Sequence, residues 1–226
     1  VFVLPALLTG RDPLLVALVG SSAMMFAAVY LAHGISIRTT TALLGTIVGL
    51  AITTLLAAWG TSSAQLTGTG TEGSYQLLAL VPGMSLRALL LCGIVIAGLG
   101  ALNDVTITQA SAVWELHASA PDAPARMVFA RAMRIGRDHI ASTVYTLAFA
   151  YVGTALTTLL LVSLFERSLV ETLTAGEIAE EVVRTLVSSV GLVLAIPVTT
   201  GIGVLAARSA AAADREVPTG PREASA

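Results

Sequence analysis

Apolar runs separated by short polar links set the pattern of this chain. They cover Pro13–Leu31, Thr40–Trp59, Leu86–Leu102, Ala141–Phe165 and Val187–Ala207. A helix crossing a bilayer needs about 20 mostly apolar residues, so each run predicts a membrane-spanning helix. Val1–Leu8 is apolar from the first residue and stops at Thr9-Gly-Arg-Asp-Pro13. It is expected to be the tail of a span whose beginning is missing, which makes the chain a fragment of a longer protein. Gly60–Ser85 is a Gly/Ser/Thr-rich loop, and the acidic stretch Glu166–Arg184 is expected to form a short amphipathic helix. The expected fold is all-α: a polytopic membrane helix bundle of about five full spans, a truncated first span and that short helix. Residues 1–207 form the transmembrane domain, and 208–226 a polar, disordered cytoplasmic tail.

The pattern departs from simple alternation at Gly98–Glu115. This stretch is fused without a break to the apolar run before it, so polar groups continue a membrane helix at a depth where they are costly. On a helix Asp104, Thr108, Ser111 and Glu115 share one face. Gly93, Ala97 and Gly100 are expected to form a separate strip of small residues, the kind against which a neighbouring membrane helix packs. The bland alternative is that Asp104 and Glu115 mark a wet helix end. Gly45 and Gly49 form a second close-packing signal in the preceding span.

Composition places the chain firmly among membrane proteins. Of 226 residues 55% are hydrophobic and 12% charged, with a mean hydropathy of +0.86. The net charge of −2 and the lack of a basic stripe exclude a nucleic-acid partner. The single cysteine, Cys92, lies in an apolar run and is read as packing. All 12 basic residues are arginine. Arg38, the group Arg126, Arg131, Arg134 and Arg137, and Arg208, Arg215 and Arg222 fall in alternate links. By the positive-inside rule those links and the C-terminus are expected on the cytoplasmic side.

A second polar group enters the span after the arginine-rich link. Asp138, Ser142, Tyr145 and Thr146 fall on one broad helical face. Because this helix runs antiparallel to the one carrying Asp104, the two acids and their hydroxyl neighbours are expected at similar depth. Such oxygen ligands suit a small cation or a proton relay. Competing readings are a helix cap for Asp138 and buried Asp138–Arg134 or Asp104–Arg137 pairs. His33, His117 and His139 are scattered, and none forms the i, i+4 pair of a zinc helix. Pro197 frees a backbone carbonyl within its span, for packing or for a pathway. Trp59 and Trp114 suit interface anchors. No Gly-x-Ser-x-Gly, His-Glu-x-x-His or P-loop pattern is present, so no enzyme activity, catalytic residue, cofactor or resident metal is expected.

The ordered set of segments resembles the YibE/F-like family of bacterial multi-pass membrane proteins. The resemblance is carried by Gly98-Leu-Gly-Ala-Leu-Asn-Asp104 with Ser111–Leu116. Ile135-Gly-Arg-Asp138, Thr143, Thr146-Leu147 and Ala150-Tyr-Val-Gly153 follow. Gly34, Arg38, Leu44-Gly-Thr46, Val190-Gly191 and Ile196-Pro197 fit as well. It extends to about Ala207; Asn103 and the Thr-Ile-Thr-Gln turn depart from the family's pattern. The resemblance implies this topology, marks Asp104, Glu115, Arg137 and Asp138, and implies further sequence ahead of Val1. It implies no substrate.

Together these features predict transport or permeation of a small cation, proton or small solute. Asp104, Thr108, Ser111, Glu115, Asp138, Ser142 and Thr146 are the candidate site, and Arg137, Pro197, Gly45 and Gly49 have structural or gating roles. The expected partners are the lipid bilayer, a cation or proton, and a second copy of the chain or the missing N-terminal region. The alternatives are a membrane scaffold that docks partners through its arginine-rich link, and an aspartate-dependent intramembrane hydrolase.

Overall fold

The computed structural model describes residues 3–164 and 168–216. Nine helices follow one another among the described residues: α1 (Val3–Leu8), α2 (Pro13–His33), α3 (Ile37–Ser63), α4 (Glu72–Leu80), α5 (Leu86–Ser119), α6 (Ala125–Thr154), α7 (Leu156–Leu164), α8 (Leu169–Thr174) and α9 (Gly176–Glu216). Local chemistry sets several starts. Asp12 accepts from the Leu15 N–H at 2.9 Å ahead of Pro13, and Ser36 and Ser85 cap α3 and α5 in the same way. Gly34, at φ +71°, makes the turn between α2 and α3 in a conformation that other residues adopt at a cost.

Helices α2, α3, α5 and α9 are long and apolar enough to cross a membrane; α6 and α7, bent by 57° at the break between them, pass the same test only as a pair. The all-α bundle is therefore present, with four departures in its details. The loop expected over Gly60–Ser85 is shortened by α3, which runs on to Ser63, and is interrupted by the helix α4. The polar link expected over Leu116–Ile140 is mostly helix. Its prolines, Pro121 and Pro124, confine the turn to a few residues, and Val128, Ala132 and Gly136 recur every fourth position as a narrow buried stripe. That stripe was masked by the arginines beside it. The acidic segment and the last span do not separate either. α9 begins at Gly176 and runs through Pro197 to Glu216, past the expected start of the tail at residue 208. Finally, the span expected over Ala141–Phe165 breaks at Ala155. Phe165, Glu166, Arg167 and the tail from 217 onward lie outside the described residues, as do Val1 and Phe2.

The bundle centres on α3, α5 and α9, with α2 against one side of α5 and the first half of α6 against α5 and α9. Ala17, Met25 and Val29 of α2 pack on Leu43, Leu50, Cys92, Val95 and Leu99. Val105, Leu192 and Ile196 join α5 to α9, while Val113, Val128, Ala132 and Val204 tie α6 into the arginine-rich end. Glycines bring the central helices close. A Cβ on Gly49 would lie 2.9 Å from that of Ala195 and 3.0 Å from Leu102 Cδ2, and Cβ atoms on Gly45 and Gly191 would collide with Thr199 and Thr53.

Candidate functional site

The helix α5 carries the residues singled out in the sequence on its outward side. Asp104, Thr108 and Glu115 are exposed and Ser111 is half-buried. Gly93, Ala97 and Gly100 prove to lie in line with them, at steps of three and four residues, so the small and acidic strips are one strip. Among the described residues nothing comes within 4 Å of a Cβ placed on Gly93 or Gly100, so the expected close packing is not made there by these glycines. The glycine of α5 that does meet other helices is Gly98, on the inner side, near Ser188 and Thr53 at 3.5 and 3.6 Å.

Asp104 faces His139 of α6, with Oδ2 3.6 Å from Nε2. The side chain of Asp104 is 71% exposed and that of His139 31% exposed. Asp138, next along α6, is exposed, as are Arg137, Ser142 and Thr146. Neither the Asp138–Arg134 nor the Asp104–Arg137 pair forms among the described residues. The cap reading for Asp138 also fails, because α6 starts at Ala125 and leaves Asp138 well inside the helix. The hydroxyls of Thr143 and Thr146 donate to the carbonyls of His139 and Ser142, one turn back on their own helix. Ser111 lines a cavity of about 20 Å³ with His33, Arg38 and Thr39, room for about one water molecule. The structure thus brings Asp104 to His139 rather than to Asp138. No group of three or more His, Cys, Asp or Glu residues able to hold a metal forms among the described residues.

The inner side of α5 is polar too, and the sequence reading overlooked it. Gln109 is buried, and its Nε2 donates to the carbonyl of Ala132 at 3.0 Å and to Thr200 Oγ1 at 2.7 Å. It thereby joins α5, α6 and α9. Gly136 lets α6 approach, since a Cβ there would lie 2.7 Å from Gln109 Oε1 and 2.8 Å from Ile196 Cγ2. One turn away Thr46 and Thr106 share a hydrogen bond of 2.5 Å between α3 and α5. Thr53, Thr61, Ser188 and Thr199 continue the buried polar set through the α3–α9 seam. Most of these hydroxyls donate to the carbonyl four residues back, which makes them tolerable in an apolar interior. Ser188 Oγ and His117 Nε2 are buried without a hydrogen-bond partner. A signal was available: Thr46, Thr53 and Thr61 recur at seven and eight residues, on one face of α3.

At the opposite end from the arginines, α9 opens with three glutamates. Glu177 Oε1 accepts from Thr158 Oγ1 at 2.7 Å, and Glu181 lies 3.7 Å from Arg184. Glu180 is only 8% exposed and accepts from the Gly70 N–H at 3.1 Å. Glu180 is therefore not part of a solvated polar face, as an acid in an amphipathic helix would ordinarily be.

No curated protein and no solved structure gives a significant match to this chain. The sequence profile described as YibE/F-like protein matches residues 1–209. With its apolar spanning helices and that match over most of its length, the chain belongs to the YibE/F-like family of membrane proteins.

Proposed function

We propose that this protein moves a proton or small cation across the bacterial inner membrane, with its C-terminus in the cytoplasm. The observation that supports this is the line of buried polar side chains through the central three helices. Thr46 to Thr61 alone covers about 22 Å along α3, most of the hydrocarbon thickness. A bundle held by packing alone has no need of a side-chain amide or unpaired hydroxyls at that depth, because polar groups there are costly. The line runs from the Glu180 end past Thr61, Thr53 and Ser188 to Thr46, Thr106, Gln109 and Thr200. The glycine contacts close it tightly, so movement along it requires α3 and α9 to part. Asp104 and His139 lie off this line, 3.6 Å apart on the outer side of the bundle.

The direct test is flux into vesicles containing the purified protein, with imposed proton, sodium and potassium gradients. Gln109→Leu should slow the flux at least tenfold, a barrier increase of about 1.4 kcal/mol. Asp104→Asn should slow it by a smaller factor. Absence of flux for every ion with the wild-type protein rules the proposal out.

The scaffold reading keeps one observation in its favour. Arg126, Arg131, Arg134 and Arg137 are exposed and lie off the buried Val128–Ala132–Gly136 stripe. An intramembrane hydrolase has less support, because Asp104 faces a histidine and both aspartates lie on the outside of the bundle.

A further inference from the structure

The end of the bundle opposite the arginines holds a cleft of about 630 Å³, between the loop after α3, the end of α8 and the first turns of α9. Ligand sites for small organic molecules run from about 300 to 1,000 Å³. The volume is far larger than a bare metal ion requires. Leu173 and Val183 give the cleft an apolar wall, Thr67, Thr69 and Thr174 supply hydroxyls, and Tyr75 supplies an aromatic ring. The acidic group on its lining is Glu180.

Glu180 is held in place. Its Oε1 accepts from the Gly70 N–H, and a Cβ on Gly70 would lie 2.9 Å from Glu180 Cδ and 3.0 Å from the Glu177 backbone. Only glycine lets the loop lie this close to α9. Gly68, at φ +78°, presses the same loop against the carbonyl of Leu86, so the loop is fixed at two points. Arg184, one turn along α9, pairs with Glu181 instead. Glu180 is left as a nine-tenths-buried carboxylate with no ion-pair partner within 4 Å among the described residues, on the wall of a cleft with room for a ligand.

We infer that this cleft binds a small organic ammonium ion with an apolar body. The ammonium group would meet the Glu180 carboxylate as a charge-assisted hydrogen bond, and the body would lie on Leu173, Val183 and the Tyr75 ring. The inference does not depend on transport, since a binding site can exist whether or not flux occurs.

The test is equilibrium binding to the full chain in lipid nanodiscs, using phenethylammonium, neutral 2-phenylethanol, phenylacetate, sodium and magnesium as probes. Phenethylammonium should bind saturably, and the alcohol and the acid should bind at least about tenfold more weakly. Glu180→Gln should lower the amine affinity at least about tenfold. Thr67→Trp, at an exposed rim position away from the core, should also weaken binding by filling the cleft. Unchanged unfolding midpoints show that a variant is intact; if Glu180→Gln does not fold, Thr67→Trp decides. No saturable amine binding, equal binding of the alcohol, or affinity unchanged in the intact variants would overturn the inference. So would competition by sodium or magnesium at low millimolar concentration, which would mark an inorganic cation site.

Discussion

The two sides of α5 differ more than their compositions suggest. Both carry small residues and both carry polar ones. The inner side, with Gly98, Leu102, Val105, Thr106, Gln109 and Val113, is buried against α3, α6 and α9. The outer side, with Gly93, Gly100, Asp104, Thr108 and Glu115, meets little else of the chain. Hydrogen-bonding capacity explains which polar groups go inside. A threonine hydroxyl can donate to its own helix, and the Gln109 amide finds a carbonyl and a hydroxyl at the place where three helices meet. A carboxylate has no donor to offer and is costly to bury without compensation; Asp104 and Glu115 stay outside, whereas Glu180, at the far end of α9, is buried where the Gly70 N–H can donate to it. Small residues follow the same division: Gly98 is used because neighbouring helices present hydroxyl side chains to it, and Gly100 is not.

Substitutions at helix contacts should break this contrast most visibly. Gly191→Val forces a branched side chain into the buried Thr53 side chain across the α3–α9 seam, and should cost about 3 kcal/mol of stability. Its unfolding midpoint in detergent should fall steeply, while Gly93→Val, on the open side of α5, should remain near wild type. Next in size is Gln109→Ala. It removes two hydrogen bonds and leaves a void, and should cost about 2 kcal/mol. Gly136→Ala pushes against the same amide, and should cost about 1 kcal/mol, measured as the same midpoint shift. The smallest effect belongs to the outer strip. Asp104→Asn and Gly100→Ala should each stay within about 0.5 kcal/mol, and a large loss at either position would mean that the strip is packed after all.

The spans were legible because hydrophobic length and short links follow from the bilayer itself. Pro13 behind Asp12, the glycine turn at Gly34 and the paired Gly45 and Gly49 all carry local signals that survive into the structure. The helical first half of α6 was not legible in the same way. One buried residue per turn is a weak signal, and four arginines outweigh it when polarity is read position by position. The buried polar groups escaped notice for a related reason. Aspartate and glutamate stand out in an apolar sequence, whereas threonine and glutamine are quiet until their partners on other helices are known. Asp104 found a neighbour only because α6 presents His139 at the same level, a fact of tertiary packing. Glu180 was hidden by its neighbours, since a run with Glu177 and Glu181 looks like a solvated edge, and only the position of Gly70 distinguishes it.

The most direct measurement concerns Ser188, an unpaired buried hydroxyl in the middle of the central seam. In a background that already carries Cys92→Ser, the Ser188→Cys variant should react with a small water-soluble thiol reagent in intact vesicles. Reaction should be slow, and a gradient of the transported ion should change its rate. Such labelling would show that water reaches the polar line when α3 and α9 part. A thiol at this position that stays unreactive under every gradient, in protein that remains folded, would mean that the seam never opens and that its hydroxyls serve packing alone.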